Sequence, residues 1–324
     1  MFSRSSFRQS LLCVATGLLL LPCAALAQEE VIMATGPSGS TVYIHGGIIS
    51  EAVNDFQSQY RLTGQTTGGF KDSLALLLNG NAEIAMNSLV QAANAYDALG
   101  EYESVPNKGE YKKLRMVFTF GVVPHNFFVR ADSGIRSLED IRGKSININT
   151  PAGFTYELNH DLLELAGIPM DSFKPGTVST GDVFEQVQNR VFDGALHVFD
   201  VGYAPAMNLA LSTDLRWIGF DADVVAKLNE RYQGLLPEYT IPAGVYRGQE
   251  ESVATFGVAQ IIIAREDTDE ELVYLLTKAF WENLEAITEQ NVAFKGMTLE
   301  IGAKKTPIPF HPGAIRYFKE RGLL

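Results

Sequence analysis

The chain has 324 residues, of which 46% are hydrophobic, and a formal net charge of −12. This acidic balance disfavours nucleic acid and anionic membrane surfaces as partners, although a local site can still hold an anion. Both cysteines, Cys13 and Cys23, lie near the N-terminus, and a chain of this length can bury enough surface to be stable without disulfides. The composition therefore predicts a globular protein, which we expect to form two lobes.

The first 27 residues have the features of a secretory signal peptide. Arg4 and Arg8 precede the uncharged stretch LLCVATGLLLLPCAALA, which ends in the small-x-small pattern ALA at 25–27. We expect cleavage before Gln28 and a periplasmic mature protein. Loss of the two leader arginines would take the net charge to −14.

Two other interpretations of this leader are weaker. The apolar run is marginal for a membrane anchor, which needs about 20 residues. A lipid anchor at Cys23 is disfavoured, because Pro22 stands where that processing requires a small residue.

Strand-like apolar runs alternate with helical patterns along the rest of the chain. In chain order the predicted elements are strand VIMAT, a helix near 41–57, strand YRLTGQTT, helix KDSLALLLNG, strand AEIAMNS, helix LVQAANAYDAL, strands LRMVFTFG and NFFVR, short helix SLEDIRG, strand KSININT, helices FTYELNHDLLELAGI and DVFEQVQNRVFDG, and the apolar segment ALHVF. This alternation predicts an α/β architecture with largely parallel sheets.

Two extended stretches are too long for an ordinary strand of 5–6 residues. They are MVFTFGVVPHNFFVR and, some 130 residues later, ESVATFGVAQIIIAR. Each is expected to run through a hinge from one lobe into the other. We therefore predict that 28–125 and 257–324 form lobe 1, and that 126–256 form lobe 2.

The segment TGPSGSTVYIHGG, at 35–47, joins the first predicted strand to the first predicted helix. In open α/β sheets ligands bind at this end of a strand, and free N–H groups of the following helix favour an anion. Gly36 permits close approach of the backbone, while Ser38, Ser40 and Thr41 add hydroxyl groups. The alternative is that Ser40 or Thr41 only caps the helix. The segment is neither a Walker A loop nor a GxGxxG fingerprint.

The same pattern of strand, small polar turn and helix recurs in two other places. INTPAGFTYE at 148–157 falls in predicted lobe 2, and TTGGFKDS at 66–73 falls in predicted lobe 1. Several helix N-termini that face one cleft from two lobes would hold a small anion. Closure of the lobes would exclude water and strengthen each polar contact.

At this level of detail the sequence resembles the TAXI family, the solute-binding receptors of tripartite ATP-independent periplasmic (TRAP) transporters. The resemblance rests on TGPSGSTVY, TTGGFKDSLALLLNGNAEIAM, VRADSGIRSLEDIRGKSININTPAG, IPAGVYRGQEESVATFGVAQIIIA and HPGAIRYFKERGLL. These strings span nearly all of the chain after the leader.

The resemblance implies a type II periplasmic-binding-protein fold, in which hinge strands join two α/β lobes around a ligand cleft. It also implies no catalysis, a TRAP membrane permease as partner, and a small carboxylate such as glutamate or 2-oxoglutarate as ligand. By position in the family's motifs, the implied binding residues are Gly36, Ser40, Thr41, Tyr43, Ser88, Thr150, Pro151, Gly153, Thr155, Gly202 and Tyr203.

The chain departs from the family pattern near the expected hinge. Phe70 and Lys71, with Asp72 and Ser73, replace a Ser-Val-Glu-Asn-like helix start, and GVVPHN at 121–126 replaces a Tyr-Pro-Glu-Pro-x-His run. Phe154 stands where a glycine is expected. These changes disfavour glutamate itself and favour an organic anion with an apolar or aromatic body.

Some further residues have both a binding and a structural interpretation. Lys71 either contacts a carboxylate or is solvated, and Asp200 either pairs with a ligand amine or cation or caps a turn. Phe154, Phe199 and Tyr203 either stack on the ligand or belong to the core. The histidines lack the spacing of a metal site, so we predict no metal and no cofactor.

An exported two-lobed enzyme is the less favoured alternative. The chain has no GxSxG elbow, and no cysteine nucleophile would remain after cleavage of the leader. A receptor for an ABC importer or for a sensor remains a further alternative. The prediction is a monomeric receptor that binds a small organic acid and no nucleic acid.

Overall fold

A computed structural model describes residues 28–151 and 153–324, so the predicted signal peptide at 1–27 lies outside the described residues. The strands are β1 Glu29–Ala34, β2 Tyr60–Gln65, β3 Ile84–Ser88, β4 Leu114–Arg130, β5 Ser145–Asn147, β6 Lys174–Gly176, β7 Gly194–Val198, β8 Leu215–Trp217, β9 Glu238–Ile241 and β10 Val253–Arg265. The helices are α1 Thr41–Phe56, α2 Phe70–Leu78, α3 Leu89–Asp97, α4 Lys108–Tyr111, α5 Phe154–Leu165, α6 Val183–Gln188, α7 Ala204–Ser212, α8 Ala222–Arg231, α9 Glu270–Glu282, α10 Leu284–Gln290, α11 Leu299–Gly302 and α12 Pro312–Glu320.

The strands form one continuous, mixed sheet that passes through both lobes. Its order is β2-β1-β3-β10-β4-β7-β5-β6, with β8 added beside β4 and β9 beside β10. At one end β1 pairs in parallel with β2 and β3, and at the other end β5 pairs in parallel with β6 and β7.

The prediction of largely parallel sheets was wrong in its detail. Among the described strands, β4 and β10 pair antiparallel with each other and with every other neighbour. The reason is that these two long strands run opposite to the parallel strands that they meet. The parallel βαβ units lie on either side of this antiparallel centre.

The two long strands change partner at the same level of the molecule. Strand β4 pairs with β10 up to Pro124 and with β7 from His125 onward. Strand β10 pairs with β9 over 253–256 and with β4 from Gly257 onward. We keep the predicted lobe boundaries as a proposal and use the terms lobe 1 and lobe 2 in that sense.

Each lobe has apolar layers on both faces of its sheet. Along β1, Met33 and Ala34 point into different hydrophobic clusters, as successive strand residues must. Along β4, Phe128 and Val129 do the same in lobe 2. The sheets are therefore covered on both sides, and the strand ends that face the other lobe are the places left for a ligand.

Several predicted elements are present with different bounds. The helix expected at 182–194 ends at Gln188, after which β7 begins at Gly194. The expected strand KSININT shortens to Ser145–Asn147. Within the described ranges, no helix is long and apolar enough to cross a membrane.

Candidate functional site

A cavity of about 160 Å³ lies between the two lobes at the predicted strand-to-helix turns. Its lining comes from four turns, from the end of β7 and from the crossing strand β10. The lining residues are Gly36, Pro37, Ser38, Ser40, Thr41, Val42, Gly68, Gly69, Phe70, Asn149, Thr150, Gly153, Phe154, Thr155, Ser179, Thr180, Gly181, Val198, Val258 and Gln260.

The N-terminus of α1 reaches this cavity with free backbone donors. The side chain of Ser40 accepts a hydrogen bond from the N–H of Tyr43, and the helical ladder begins when the N–H of Ile44 donates to Ser40 O. The N–H groups of Thr41 and Val42 therefore have no partner in the helix. Because both residues line the cavity, these donors are available to an anion there.

Helices α5 and α2 present their N-termini to the same space. In α5 the cap residue Gly153 has no side chain that could accept a hydrogen bond from a helix N–H. The N–H groups of Phe154 and Thr155 therefore have no partner within the helix. In α2 the cap is Gly69, and Phe70 is the first helical residue. Three positive helix ends, from both lobes, thus meet at one cavity.

No Lys, Arg, Asp, Glu or His is among the described residues that line the cavity. A ligand charge would therefore be balanced by backbone N–H groups, hydroxyl groups and helix dipoles. Apolar side chains also contribute to the wall, chiefly Val42, Phe70, Phe154, Val198 and Val258. The wall combines neutral donors with an apolar surface.

A buried hydrogen-bond chain lies behind the turn at 179–181. Thr180 Oγ1 lies 3.0 Å from Nδ1 of His197, whose Nε2 contacts Asn147 Oδ1. Asn149 Nδ2 donates to Thr180 Oγ1 at 3.3 Å. Burial lowers the pKa of His197 to about 3, with a smaller effect from His125, so this imidazole is neutral at physiological pH.

The crossing strand β10 contributes one polar side chain to the cavity. Gln260 is only 1% exposed, and its Nε2 makes a long 3.4 Å hydrogen bond to Val258 O. Its Oε1 has no partner among the described residues. Gln260 is thus a buried acceptor in the cavity wall.

Three polar contacts join the lobes around the cavity. The Tyr203 hydroxyl of lobe 2 donates to Gly39 O of lobe 1 at 2.6 Å. His45 Nε2 and Asp200 Oδ2 lie 2.8 Å apart, although the ring is not aligned for a linear hydrogen bond. Lys71 forms the third contact, with Glu157 of α5. The structure is therefore a conformation in which the lobes are in contact.

Comparison of the sequence with known families gives a match to the NMT1-like family over residues 33–322. The chain belongs to the NMT1-like family. The match covers both lobes and all the turns that line the cavity.

Solved structures with low sequence identity share the fold of this NMT1-like protein. A protein from Bordetella bronchiseptica RB50 is similar with a TM-score of 0.56 at 13% identity, covering 92% of this chain and 99% of that one. The probable amino-acid ABC transporter extracellular-binding protein ytmK from Bacillus subtilis has a TM-score of 0.50 at 11% identity, covering 83% and 98%.

A third structure comes from work on glutathione import via GshT and the cystine ABC importer TcyBC of Streptococcus mutans. It has a TM-score of 0.50 at 14% identity and covers 83% of this chain and 96% of that one. These comparisons confirm the predicted type II periplasmic-binding-protein fold, with two α/β lobes around a cleft. The finer prediction, membership of the TAXI family, stays a prediction.

Nine of the sixteen residues predicted to bind ligand lie together in the cavity wall of this NMT1-like protein. They are Gly36, Ser38, Ser40, Thr41, Phe70, Thr150, Gly153, Phe154 and Thr155. They come from the three turns that the sequence singled out, at 35–47, 66–73 and 148–157. Their binding role remains a proposal.

Three predicted residues lie at the surface, outside the cavity lining. Tyr43 is 39% exposed and faces a separate shallow pocket with Ile44 and Glu51. Pro151 is exposed, and Gly202 is an exposed residue with a positive φ whose N–H donates to the Tyr246 hydroxyl.

The other four predicted residues make contacts within the protein. Ser88 is fully buried as the N-cap of α3. Asp200 and Tyr203 make the interlobe contacts described above, and Tyr203 also packs with Phe199 in a lobe 2 cluster. Lys71 Nζ lies 2.5 Å from Glu101 Oε2 and 2.6 Å from Glu157 Oε1, so its charge is taken up by carboxylates.

Sequence reasoning missed the cavity wall formed by 179–181 and by β10. The turn STG follows β6, which has only three residues and contains Pro175, so no strand pattern marked it. A small hydroxyl-rich turn before the helix DVFEQVQ was the available signal. Gln260 and Val258 lie inside an apolar strand, where no motif distinguishes a residue that faces a cleft.

Among the described residues, His160, Asp161 and Glu164 offer ligand atoms within 4.8 Å of one another. Arg231 Nη1 lies 3.1 Å from Asp161 and 2.9 Å from Glu164. An ion pair therefore accounts for this surface cluster, and it is separate from the cavity.

Proposed function

We propose that this protein is a periplasmic solute-binding receptor that captures a small organic anion in the interlobe cavity. The observation that carries the proposal is the meeting of three helix N-termini at an uncharged cavity wall. Free N–H groups in a water-poor space bind a negative group well without a charged side chain. The described wall has no ionisable side chain that would balance a ligand charge.

The apolar part of the wall supports a ligand with an apolar body. Phe70 and Phe154 are the two phenylalanines by which the sequence departs from the TAXI pattern, and both line the cavity. Apolar surface buried by a ligand contributes roughly 25 cal/mol per Å². We propose a carboxylate with an aliphatic or aromatic body, held at its charged end by the helix termini.

Delivery of the ligand would depend on closure of the lobes. A ligand that contacts both lobes stabilises the closed form to the extent that it binds this form better than the open one. We propose that a TRAP membrane permease recognises the closed form, on the strength of the sequence resemblance. No catalysis, cofactor or second subunit is part of this proposal.

An ABC importer is the second candidate for the membrane partner. It is favoured by two similar solved structures, ytmK and the structure from work on GshT and TcyBC, which are both described in connection with ABC transporters. Co-purification with the proteins encoded by neighbouring genes distinguishes a TRAP permease from an ABC importer. A multi-span permease without an ATPase supports TRAP, and an ATPase subunit supports the ABC importer.

Among the described residues, the contact of Thr180 with His197 is the observation that favours an enzyme. Such a pair resembles a nucleophile and its base. However, burial lowers the pKa of His197 to about 3, and a base this weak removes few protons at neutral pH. We therefore assign the pair to binding, and an assay for release of product tests the assignment.

The proposal is tested by thermal unfolding with a panel of aliphatic and aromatic carboxylic acids, each compared with its neutral amide. An acid present at 100 times its Kd should stabilise the protein by about 2.7 kcal/mol, and the amide should stabilise it much less. The acid should be recovered unchanged. Equal stabilisation by amides, or no stabilisation by any anion, would contradict the proposal.

A further inference from the structure

The orientation of the Asn147 side chain is fixed by a backbone donor. The N–H of Asn149 donates to Asn147 Oδ1 at 3.0 Å. A backbone N–H can only donate, so the atom that it contacts must be the carbonyl oxygen of the side chain. The same Oδ1 contacts Nε2 of His197.

This oxygen determines which nitrogen of His197 carries the proton. An acceptor facing Nε2 requires an N–H there, because two lone pairs would repel each other. A neutral imidazole has one protonated nitrogen, so Nδ1 is an acceptor. His197 is fully buried and no carboxylate contacts it among the described residues, which agrees with a neutral ring.

The acceptor at Nδ1 decides what Thr180 presents to the cavity. Thr180 Oγ1 is 3.0 Å from Nδ1, closer than Asn149 Nδ2 at 3.4 Å. The single lone pair of Nδ1 therefore takes the hydroxyl proton of Thr180. Since Asn149 Nδ2 donates to the same hydroxyl oxygen, Thr180 keeps one lone pair and no proton for a ligand.

Gln260 supplies a second acceptor in the cavity wall. The amide nitrogen lies 3.4 Å from Val258 O, an orientation that replaces repulsion between two oxygens with a weak hydrogen bond. This leaves Oε1 without a partner in a side chain that is 1% exposed. Burial of an unpaired acceptor is unfavourable, so a donor should reach it when the site is filled.

We infer that the ligand carries a hydrogen-bond donor, a hydroxyl or N–H group, in addition to its anionic group, and that Thr180 accepts from this donor. Gln260 provides the second acceptor for such a ligand. The inference rests on the proposed function, since it assumes that the anionic group binds at the helix termini. It narrows the class from simple carboxylates to hydroxy acids and N–H-bearing acids.

Binding of matched acids by calorimetry tests this inference. One series is phenylacetate, α-methoxyphenylacetate, mandelate and phenylglycine, and a second has the isopropyl body: 3-methylbutanoate, its 2-methoxy and 2-hydroxy derivatives, and valine. The hydroxy acid should bind roughly tenfold more tightly than the methoxy and unsubstituted acids of its series. Valine and phenylglycine distinguish an N–H donor from a hydroxyl donor.

Two variants locate the acceptor. Thr180→Val removes the oxygen and should reduce the preference for hydroxy over unsubstituted acids to less than about threefold, whereas Thr180→Ser should retain it. His197→Phe frees the Thr180 proton, so discrimination against the methoxy acid should disappear. If His197→Phe does not fold, the pair of Thr180 variants still decides the question.

The outcomes separate the inference from the proposed function. If unsubstituted acids bind as well as their hydroxy and amino counterparts, the donor requirement is wrong while the anion receptor stands. If Thr180→Val keeps the full preference, Thr180 is not the acceptor. If no acid of any series binds, the proposed function fails.

Discussion

Two regions of the cavity wall each contain threonine but offer opposite hydrogen-bonding character. The donor region comprises Thr41, Val42, Phe70, Phe154 and Thr155 at the ends of α1, α2 and α5, where helix geometry leaves N–H groups free. The acceptor region comprises Thr180 and Gln260. His197 takes the hydroxyl proton of Thr180, and Gln260 Oε1 has no donor among the described residues, so each side chain offers a lone pair. A threonine in a cleft is therefore not necessarily a hydrogen-bond donor to the ligand. The buried groups that contact its hydroxyl determine whether it donates or accepts.

The largest expected effect comes from a charge placed in the donor region. Thr155→Asp puts a carboxylate at the second position of α5, where it is favourable to the helix but repels an anion. At about 5 Å, with an effective dielectric constant near 20, the repulsion is about 3 kcal/mol, or a loss of roughly 100-fold in affinity. Calorimetry with the best-binding acid measures it.

The matched control for this substitution is Ala222→Asp in the first turn of α8, an exposed position outside the cavity. It should leave affinity unchanged. Both variants should unfold at or above the wild-type temperature. If Thr155→Asp bound the acid normally, the anionic group would not lie at the helix termini.

The neutral histidines behind the acceptor region predict a pH-dependent stability. Burial lowers the pKa of His125 to about 4 and that of His197 to about 3, both below the value of about 6.5 in an unfolded chain. Below pH 6.5 the unfolded state thus binds more protons than the folded state. Stability is fully present above that pH and falls on acidification, by about 1.4 kcal/mol per pH unit for each histidine.

Denaturant unfolding of the ligand-free protein between pH 7 and pH 5 measures this slope. His197→Phe should remove the contribution of one imidazole, while His125 and His311, whose pKa values burial also lowers, keep the rest of the slope. A variant with the full wild-type slope would show that His197 titrates equally in both states. The neutral tautomer of His197 would then be confined to pH values above about 6.5.

The cap residue Ser40 connects stability with binding in the donor region. Ser40→Ala removes the acceptor for the N–H of Tyr43, at 3.3 Å, and should cost about 1 kcal/mol of the free energy of unfolding. It also removes a hydroxyl from the cavity wall, so affinity for the acid should fall several-fold.

Asp221→Ala is the control for this effect. Asp221 caps α8 by accepting from the N–H groups of Asp223 and Val224, and it does not line the cavity. Its loss should lower stability by a similar amount without a change in affinity. Equal affinity losses in both variants would mean that capping, and not contact with ligand, explains the Ser40 result.

Much of the donor region could be predicted from sequence, because helix ends are local features. A short apolar run, a glycine- and hydroxyl-rich turn and an amphipathic pattern suffice to place Ser40 or Thr155. The lengths of the two crossing strands likewise indicated the two-lobed fold. The local pattern did not predict which face of each helix points into the cavity. Thr41 lines the cavity, whereas Tyr43, two residues later, points away from it.

The acceptor region could not be predicted, because it depends on contacts distant in sequence. Thr180 and His197 are 17 residues apart, and Asn147 and His197 are 50 apart. The same limit applies to Lys71, whose charge is balanced by Glu157 from 86 residues away. Partners of this kind become apparent only in the folded chain, within lobe 2 for His197 and between the lobes for Lys71.

The smallest expected effect concerns Lys71, which connects the lobes without lining the cavity. The carboxylates of Glu101 and Glu157 lie on opposite sides of the lobe interface, and one ammonium group serves both. Burial lowers the pKa of Lys71, but these two carboxylates outweigh burial and raise it. Burial raises the pKa of Glu157 in spite of Lys71, so the cluster is short of positive charge.

Lys71→Met should therefore weaken the closed form only slightly. The three side chains are each about one-third exposed, and ion pairs of this kind contribute about 0–1 kcal/mol. We expect a two- to fivefold loss of affinity that shrinks at high salt, where the wild-type ion pairs are screened. Lys112→Met, which removes an ion pair with Asp97 inside lobe 1, should change affinity less. A loss of affinity as large as that of Thr155→Asp would instead mean that the Lys71 ammonium group contacts the ligand. The cavity wall would then contain a charged side chain.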